Sequence, residues 1–288
     1  MVPFRRRSRD QQAASHPLNQ RDKAERFRRL HAGPGAFVIP NPWDGGSARI
    51  LAGLGFHALA TSSGAAAGVL GRRDGKITRD EALAQVRIIV AATELPVSAD
   101  LEKGFGDAPS VVAETIALAA QAGLVGCSIE DATGNKDKPL YTLPEAVERI
   151  KAAAQAAKRA PFPFTLTARA ENFLRGNPDL EDTIKRLQAF ESAGADVLFA
   201  PGLPDLDAVR KVCAALKKPV NFMAGIRGKS FSVAELEAAG VRRISLATSL
   251  WRAAMSGLLE AAREVKERGT FAYLERSVTT PDIGRYMQ

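Results

Sequence analysis

Short apolar runs alternate along the chain with stretches in which apolar residues recur every three or four positions. The short runs have the length of buried strands, and the longer spacing predicts amphipathic helices such as Val111–Ala122, Ala146–Ala157 and Thr183–Ser192. Eight strand–helix units favour an α/β fold of the (βα)8 TIM-barrel type. An open doubly wound sheet is the alternative, but no G-x-G-x-x-G turn follows the first strand. The predicted strands are Ala36–Pro40, Ala58–Ser62, Pro96–Asp100, Gly126–Glu130, Phe164–Arg169, Asp196–Ala200, Pro219–Met223 and Arg243–Ala247.

Residues that start and end helices support this alternation. Asp107, Thr142 and Ser232 stand where N-caps are expected, and a glutamate follows the last two after three residues, as in a capping box. A weak repeat places a glycine at the end of four helices, where a left-handed conformation is expected. These glycines are Gly55, Gly123, Gly194 and Gly240.

The composition is ordinary for a globular protein. The chain has 288 residues, of which 45% are hydrophobic and 25% charged. Cys127 and Cys213 lie far apart, which gives neither a disulfide framework nor metal-ligand spacing and indicates a reducing compartment. No apolar run has the length of a membrane span. We therefore expect a cytoplasmic protein with no membrane partner.

The net charge of +8 belongs mainly to the N-terminal part of the chain. Residues 1–31 hold nine Lys and Arg against three Asp and Glu. We interpret residues 1–22 as a basic, flexible arm and residues 23–288 as one barrel domain with a helical C-terminal tail. Such an arm could touch nucleic acid, but it is more often a solvated tail. No apolar segment follows the arginines, so a secretory signal is not expected.

The stretch from Ser98 to Asp107 carries the most specific chemistry. Asp100 and Glu102 stand where the third strand gives way to a glycine-containing loop, and alternate residues of a strand point the same way. Two carboxylates aimed at one point repel unless a cation or a proton lies between them. Hard oxygen ligands of this kind indicate Mg²⁺, with Mn²⁺ as the alternative.

The other strand ends add to this set. Functional residues of a barrel lie at the C-terminal ends of its strands. There the chain places the small residues Thr61–Gly64, then Asp74, the pair Glu130-Asp131, and Arg169. Together they suggest a site for a metal-bound anionic substrate. Asp74 could instead be a turn residue, and Arg169 a structural partner of Glu102 or Glu130.

Seven segments, in order between about Arg26 and Arg263, resemble the isocitrate lyase/phosphoenolpyruvate mutase superfamily. The block Asp100-Leu-Glu-Lys-Gly-Phe-Gly106 is specific to that superfamily. The resemblance implies a (βα)8 barrel that binds Mg²⁺ and cleaves or forms C–C or P–C bonds next to a 2-oxo acid through an enolate. The segments are Asn41–Arg49, Thr61–Gly64, Gly71–Gly75, Ala99–Gly106, Ser128–Asp131, Ala168–Glu171 and Ala193–Asp196.

The resemblance also implies roles for single residues. Arg169 would clamp the substrate anion. The superfamily's usual assembly, a tetramer (a dimer of dimers) with exchanged C-terminal helices, would employ Leu250–Arg268 and the tail. The metal shell, acting partly through water, would be Asp74, Asp100, Glu102 and Glu130, and the carboxylate nest would be Ser62, Ser63 and Gly64.

The chain departs from the superfamily's lyases in two places. Their mobile loop after strand four carries a Cys-Gly-His sequence with an acid/base cysteine, whereas Ala132–Tyr141 has neither cysteine nor histidine. Their glutamate after strand six is replaced by Pro201. The loop also lacks the longer insert of the phosphonopyruvate mutases. These departures disfavour both the usual isocitrate cleavage and phosphoryl transfer.

We expect a Mg²⁺-dependent lyase or decarboxylase that cleaves a C–C bond next to a 2-oxo or 2-hydroxy carboxylate. Loss of CO₂ needs no strong base, and Lys136, Lys138 or Tyr141 would return the final proton, so that Arg169, Tyr141 and Lys136 are the catalytic candidates.

Three alternatives stay open. A phosphonopyruvate-type hydrolase or mutase would use the same metal site. Another barrel enzyme could hold phosphate at Gly225–Ser230. A non-catalytic metabolite-binding barrel could use its arm for nucleic acid, although the acids at the barrel mouth would repel a polyanion.

Overall fold

The computed structural model describes residues 18–287, which contain eight parallel strands in one sheet. Neighbours follow the order β1-β8-β7-β6-β5-β4-β3-β2, so the sheet curls into a nearly closed barrel. The predicted (βα)8 fold is therefore confirmed. The strands are β1 (Phe37–Ile39), β2 (Leu59–Ala60), β3 (Val97–Asp100), β4 (Gly126–Glu130), β5 (Thr165–Arg169), β6 (Val197–Phe199), β7 (Val220–Met223) and β8 (Arg243–Ser245).

The two ends of this sheet meet at a seam between β1 and β2. There the amide of Ala60 donates to the carbonyl of Pro40 at 3.1 Å. The side chain of Asn41 strengthens the seam: its Nδ2 donates to the carbonyl of Thr61 at 2.9 Å, and its Oδ1 accepts from the amide of Leu246 at 2.8 Å. One asparagine thus ties the ends of β1, β2 and β8 together.

Helices cover the outside of the barrel, and the predicted helical stretches fall in three of them, α5, α6 and α7. Two short 3-10 helices, Asn172–Leu174 and Ala272–Arg276, complete the described structure. The α-helices are α1 (Gln20–Ala32), α2 (Gly45–Gly53), α3 (Ser63–Val69), α4 (Arg79–Ala91), α5 (Pro109–Gln121), α6 (Leu143–Lys158), α7 (Leu180–Ala193), α8 (Leu206–Ala214), α9 (Val233–Ala238), α10 (Ser249–Arg268) and α11 (Thr280–Gly284).

Most of the predicted helix boundaries are confirmed. Ser232 and Thr142 start their helices with the predicted capping boxes. The Asp107 cap was wrong: α5 begins at Pro109 after Ala108, because proline supplies the first helical residue one position later than an Asp107 cap requires. The four helix-ending glycines all have positive φ, between 89° and 108°, as predicted.

Helix α1 packs across the N-terminal ends of the strands. Its Ala24 and Phe27 are fully buried against Ile39, Ala58 and Val125. The helix begins at Gln20, three residues before the boundary predicted for the arm, and residues 1–17 of that arm lie outside the described residues. No helix in residues 18–287 is long and apolar enough to cross a membrane.

The strands divide their side chains between two layers, as their twofold period requires. Alternate apolar residues, including Cys127, Ile129 and Leu166, are buried between sheet and helices and form the main core. The remaining positions face the barrel axis, where β3, β4 and β8 place small polar or charged residues rather than the usual bulky aliphatic ones. The barrel therefore encloses a cavity that opens at its C-terminal end.

Candidate active site

The predicted carboxylates converge on one cavity of about 990 Å³ at the C-terminal ends of the strands. Asp100 ends β3, Glu130 ends β4 and Arg169 ends β5, so the register of three neighbouring strands brings them together. Asp74 and Glu102 reach the same cavity from the loops after α3 and β3. The structure thus brings together all four acids and the arginine that the sequence singled out.

Asp100 is held by the most contacts. Its Oδ1 accepts from Arg169 Nη1 at 3.0 Å and from the amide of Glu102 at 3.1 Å. Its Oδ2 accepts from the hydroxyl of Ser63 at 3.1 Å. Burial by itself would raise the pKa of this carboxyl, but the Arg169 charge and these hydrogen bonds outweigh burial and hold the pKa below its ordinary value. Asp100 is therefore an anion at neutral pH.

Glu102 lies in the opposite electrostatic situation. Burial, followed by repulsion from Asp100 and Asp74, raises its pKa to about 7. Its backbone has a φ of 49°, which is strained for a residue with a side chain, and its buried Oε1 has no hydrogen-bond partner. A buried, unpartnered carboxylate oxygen beside two further carboxylates is a place where a cation fits.

Arg169 and Arg175 bind the deeper acids of the site. Arg169 Nη2 lies 3.3 Å from Glu130 Oε2 and 2.7 Å from Glu171 Oε1, while Arg175 Nη2 lies 3.1 Å from Glu130 Oε1. Burial and the neighbouring Glu171 charge nevertheless raise the pKa of Glu130 well above its ordinary value. Arg169 is thus both an ion-pair partner, the structural role left open by the sequence, and a wall of the cavity.

A divalent cation fits this donor set only with the help of water. Within residues 18–287, no three acidic, histidine or cysteine side chains already form a ready ligand set. The unpartnered Oε1 of Glu102 would be one direct ligand, and an oxygen of Asp100 or Asp74 could be a second. Mg²⁺ commonly keeps several of its waters in such sites. Glu130 would contribute through water, because its two oxygens face Arg169 and Arg175.

The predicted nest lies at the start of α3. Ser62 and Ser63 line the cavity. Gly64 stands behind them, and a Cβ there would lie 2.9 Å from Thr248 Cγ2 and 3.3 Å from the Asp74 carboxylate. Gly64 therefore lets Asp74 approach the site. Asp74 also accepts the amide of Gly75 at 3.0 Å, so its turn role and its place in the cavity coexist.

The loop after β4 provides one of the proposed proton donors. Lys136 is exposed and lines the cavity. Tyr141 is buried outside it: its hydroxyl donates to Asp107 at 2.5 Å, and its ring lies under the guanidinium of Arg149. Lys138 pairs with Glu145 at 3.0 Å. The structure therefore brings Lys136, but not Tyr141 or Lys138, to the reacting space.

Four further residues shape the site: Asp131 and Glu171 were named at the strand ends without a role, and Asn221 and Arg243 were not predicted. Fully buried Glu171 pairs with Arg169, and buried Asp131 accepts the amide of Glu171 at 2.8 Å and pairs with Arg186 at 3.1 Å. These contacts fix the ends of β4 and β5 relative to each other. Deeper in the barrel, Asn221 and Arg243 line the cavity. Their signal in the sequence is a polar residue at an inward-facing strand position.

Comparisons with known proteins agree with this geometry. The family described as phosphoenolpyruvate phosphomutase matches residues 27–266. A crystal structure of a putative lyase/mutase from Burkholderia cenocepacia is 54% identical with a TM-score of 0.91, covering 93% of this chain and 96% of that one.

Two relatives with named activities are more distant. Oxaloacetate decarboxylase from Chromohalobacter salexigens is 30% identical over 86% of this chain and 87% of its own length. The structure of 2,3-dimethylmalate lyase is 30% identical with a TM-score of 0.83 and covers 92% of this chain and 95% of its own.

Proposed function

Because the chain belongs to the isocitrate lyase/phosphoenolpyruvate mutase superfamily, we propose that its cavity cleaves a carbon–carbon bond next to the carboxylate of a 2-oxo or 2-hydroxy acid. The observation that carries this proposal is Glu102, whose unpartnered oxygen faces two other carboxylates beside Arg169. Relatives that decarboxylate oxaloacetate or cleave dimethylmalate support carbon–carbon rather than phosphorus–carbon chemistry.

We propose that Asp100, Glu102, Asp74 and Glu130 hold Mg²⁺, with Mn²⁺ as the alternative. When bound, such an ion supplies Lewis acidity and orients the substrate. Ser62 would donate a hydrogen bond to the substrate carboxylate, and the Ser63 hydroxyl, which donates to Asp100 at 3.1 Å, would turn from Asp100 to do the same. Arg169 would stabilise the enolate oxygen through its Nη1, which donates only to Asp100, since Nη2 already faces Glu130 and Glu171. Its three acidic partners hold the guanidinium in place for that task.

The proton-donating groups of the site support a reaction that requires only one proton transfer to carbon. Burial raises the pKa of the Cys127 thiol, and its side chain lies in the outer core, so it does not replace the cysteine of related lyases. If the bond between C3 of a 2-oxo diacid and its carboxylate breaks, CO₂ leaves, the electron pair forms the enolate of C2 and C3, and one proton must be returned to C3. Lys136 is the cavity-lining group of its loop that can donate it.

The test is a substrate panel run with the full chain. Pyruvate release is measured from 2-oxo diacids, 2-hydroxy diacids and phosphonopyruvate, with Mg²⁺ and with EDTA. Metal-dependent turnover of one carbon diacid should fall at least about 100-fold in Asp100→Asn. Glu114→Gln, which removes an exposed carboxylate on α5, is the matched control and should leave turnover unchanged.

The other outcomes of the panel decide against parts of the proposal. Turnover of phosphonopyruvate alone would replace the carbon–carbon assignment. If calorimetry shows no metal-dependent binding of oxalate and no substrate turns over, the carboxylates are structural and the enzyme proposal is wrong.

We also propose that a second copy of the chain covers the C-terminal segment, as in the exchanged helices of the superfamily's usual tetramer. Apolar side chains on α10 and beyond it are more than half exposed, which is unusual for a soluble surface. They include Leu258, Leu259, Phe271, Leu274 and Val278.

A further inference from the structure

A buried arginine lies in the barrel below the carboxylates. Arg243 starts β8, is 5% exposed and lines the cavity. Its Nη2 donates to Thr167 Oγ1 at 2.9 Å, and its Nε donates to Asn221 Oδ1 at 2.8 Å. Thr167 stands two residues before Arg169 on β5, and two strand residues span about 6.6 Å. The guanidinium therefore lies about one layer of side chains deeper than the predicted metal shell.

The charge of Arg243 has no counterion among residues 18–287. Its third contact is the imidazole of His31, 3.4 Å from Nη1. Burial and the Arg243 charge lower the pKa of His31 to about 3, so this ring is neutral, and its Nδ1 faces the carbonyl of Phe27 at 2.9 Å. Nε2 of His31 is thereby left as an acceptor for the arginine.

The other buried arginines have carboxylate or backbone carbonyl partners. Arg169 and Arg186 pair with carboxylates, and Arg149 donates to backbone carbonyls of the loop after β3. A buried charge without a counterion is costly, so proteins rarely keep one unless a ligand or partner completes it. Arg243 touches the cavity, and burial together with repulsion from Arg169 disfavours its charge when no anion is present.

We propose that Arg243, oriented by Asn221 and Thr167, binds a second anionic group of the substrate, so that the site selects short diacids over monoacids. This inference rests on the proposed function for the position of the first carboxylate. The acids at or after the C-terminal ends of β2, β3 and β4 would hold the reacting end of the substrate through the proposed metal ion. The distal carboxylate of the substrate would point down the barrel axis towards Arg243.

Pairing with the Arg243 guanidinium favours the anion over neutral CO₂, so the distal carboxylate is retained and the subsite fits cleavage between C2 and C3 of a 2-hydroxy diacid. The hydroxyl then loses its proton, C2 becomes the carbonyl carbon, and the electron pair passes to C3 beside the distal carboxylate, where C3 takes up a proton.

The experiment compares matched ligands that carry no carboxylate on C3 to accept the electron pair, so that binding is measured without cleavage. Calorimetry with the full chain and Mg²⁺ gives the Kd of 2-hydroxyglutarate, of 2-hydroxyvalerate, which has the same length but no distal charge, and of oxalate. We expect the wild-type protein to bind the diacid at least about tenfold more tightly than the monoacid. Arg243→Met should remove this preference and leave oxalate binding within about twofold.

Two further variants keep the test decisive. Arg243→Lys retains the charge and should retain part of the preference, which also covers the case in which Arg243→Met does not fold. Arg227→Met removes an exposed arginine of the same cavity and should leave the preference intact. A preference that survives Arg243→Met, or that Arg227→Met abolishes, overturns the assignment.

Different results would refute the Arg243 subsite and the proposed function. Absence of the diacid preference while oxalate still binds with Mg²⁺ refutes the Arg243 subsite alone. Loss of oxalate binding in the wild-type protein refutes the metal end. The diacid-to-monoacid ratio is still measured in that case, and it decides the subsite separately.

Discussion

Replacing Glu102 by glutamine should stabilise the protein while weakening its response to a divalent cation. Glutamine keeps the shape of the side chain and removes the charge that Asp100 and Asp74 repel. The folded pKa of about 7 lies above the ordinary 4.5, so the folded state binds the proton more tightly than the unfolded state. The free energy of unfolding therefore falls as the pH rises from about 4.5 to about 7, and stays low above that.

The size of the effect follows from this shift. At about 1.4 kcal/mol per pKa unit the full shift corresponds to about 3 kcal/mol, which we reduce to about 2 kcal/mol because the side chain is only partly buried. Urea unfolding in EDTA should show Glu102→Gln more stable than the wild type by this amount at pH 8. At pH 4 the two proteins should have nearly equal stability, because the wild-type side chain is then protonated in both states.

With Mg²⁺ bound, the wild-type protein should become more stable than Glu102→Gln. At 100 times its Kd the ion adds about 2.7 kcal/mol to the stability of the wild-type protein and should add much less to the variant. Glu114→Gln, on the exposed face of α5, serves as the control and should follow the wild type throughout. The reasoning is refuted if Glu102→Gln has no higher stability than the wild type at pH 8 in EDTA.

Three further changes test other parts of the site and the surface. Gly64→Ala should lower kcat/KM at least about tenfold and also lower the melting temperature, because its Cβ would lie 2.9 Å from Thr248 Cγ2 and 3.3 Å from the Asp74 carboxylate, so that both side chains must move; an unchanged kcat/KM would contradict the role of Gly64 in admitting Asp74. Arg169→Met should lower the free energy of unfolding by about 3–5 kcal/mol at pH 8 and by less at pH 5, where Glu130, whose pKa is raised by burial, binds a proton; equal losses at both pH values in urea titrations would contradict the ion-pair account. Leu258→Asp with Leu259→Asp should reduce the mass measured by light scattering to that of one chain; an unchanged mass would exclude this face from an interface.

The fold could be predicted because local signals and overall topology agree. Each strand is a short apolar run between turn residues, and each helix carries its own cap or terminating glycine, so elements were found without knowledge of their contacts. The exact ends of the strands depend on tertiary contacts that the local sequence does not show. The predicted strand Ala58–Ser62 forms ladder pairs only at Leu59 and Ala60, because the chain then turns into α3 to place Ser63 beside Asp100.

The carboxylates of the site could also be predicted, since strand ends of a barrel must share one rim. Side-chain orientation in the loops could not. Tyr141 stands in the right loop, but its hydroxyl is bound by Asp107, and nothing local in the sequence indicates that contact. Arg243 was not predicted for a different reason. It is a candidate anion-binding residue because no carboxylate of the described residues pairs with it, and that absence is visible only in the folded structure.

The seam between β1 and β2 divides the barrel into a stiff part and a compliant part. β4 and β5 share five register pairs, whereas β2 joins β3 by two and meets the end of β1 through one backbone hydrogen bond, from Ala60 to Pro40, and one from the side chain of Asn41. Local opening requires least energy where the fewest ladder bonds break, so amide protons beside the seam should exchange with solvent before those of β4 and β5. Ser62 and Ser63 follow the compliant edge and Arg169 is fixed on the stiff side. Under the proposed function, the serines would therefore have room to adjust to a substrate carboxylate, whereas Arg169 would hold its position.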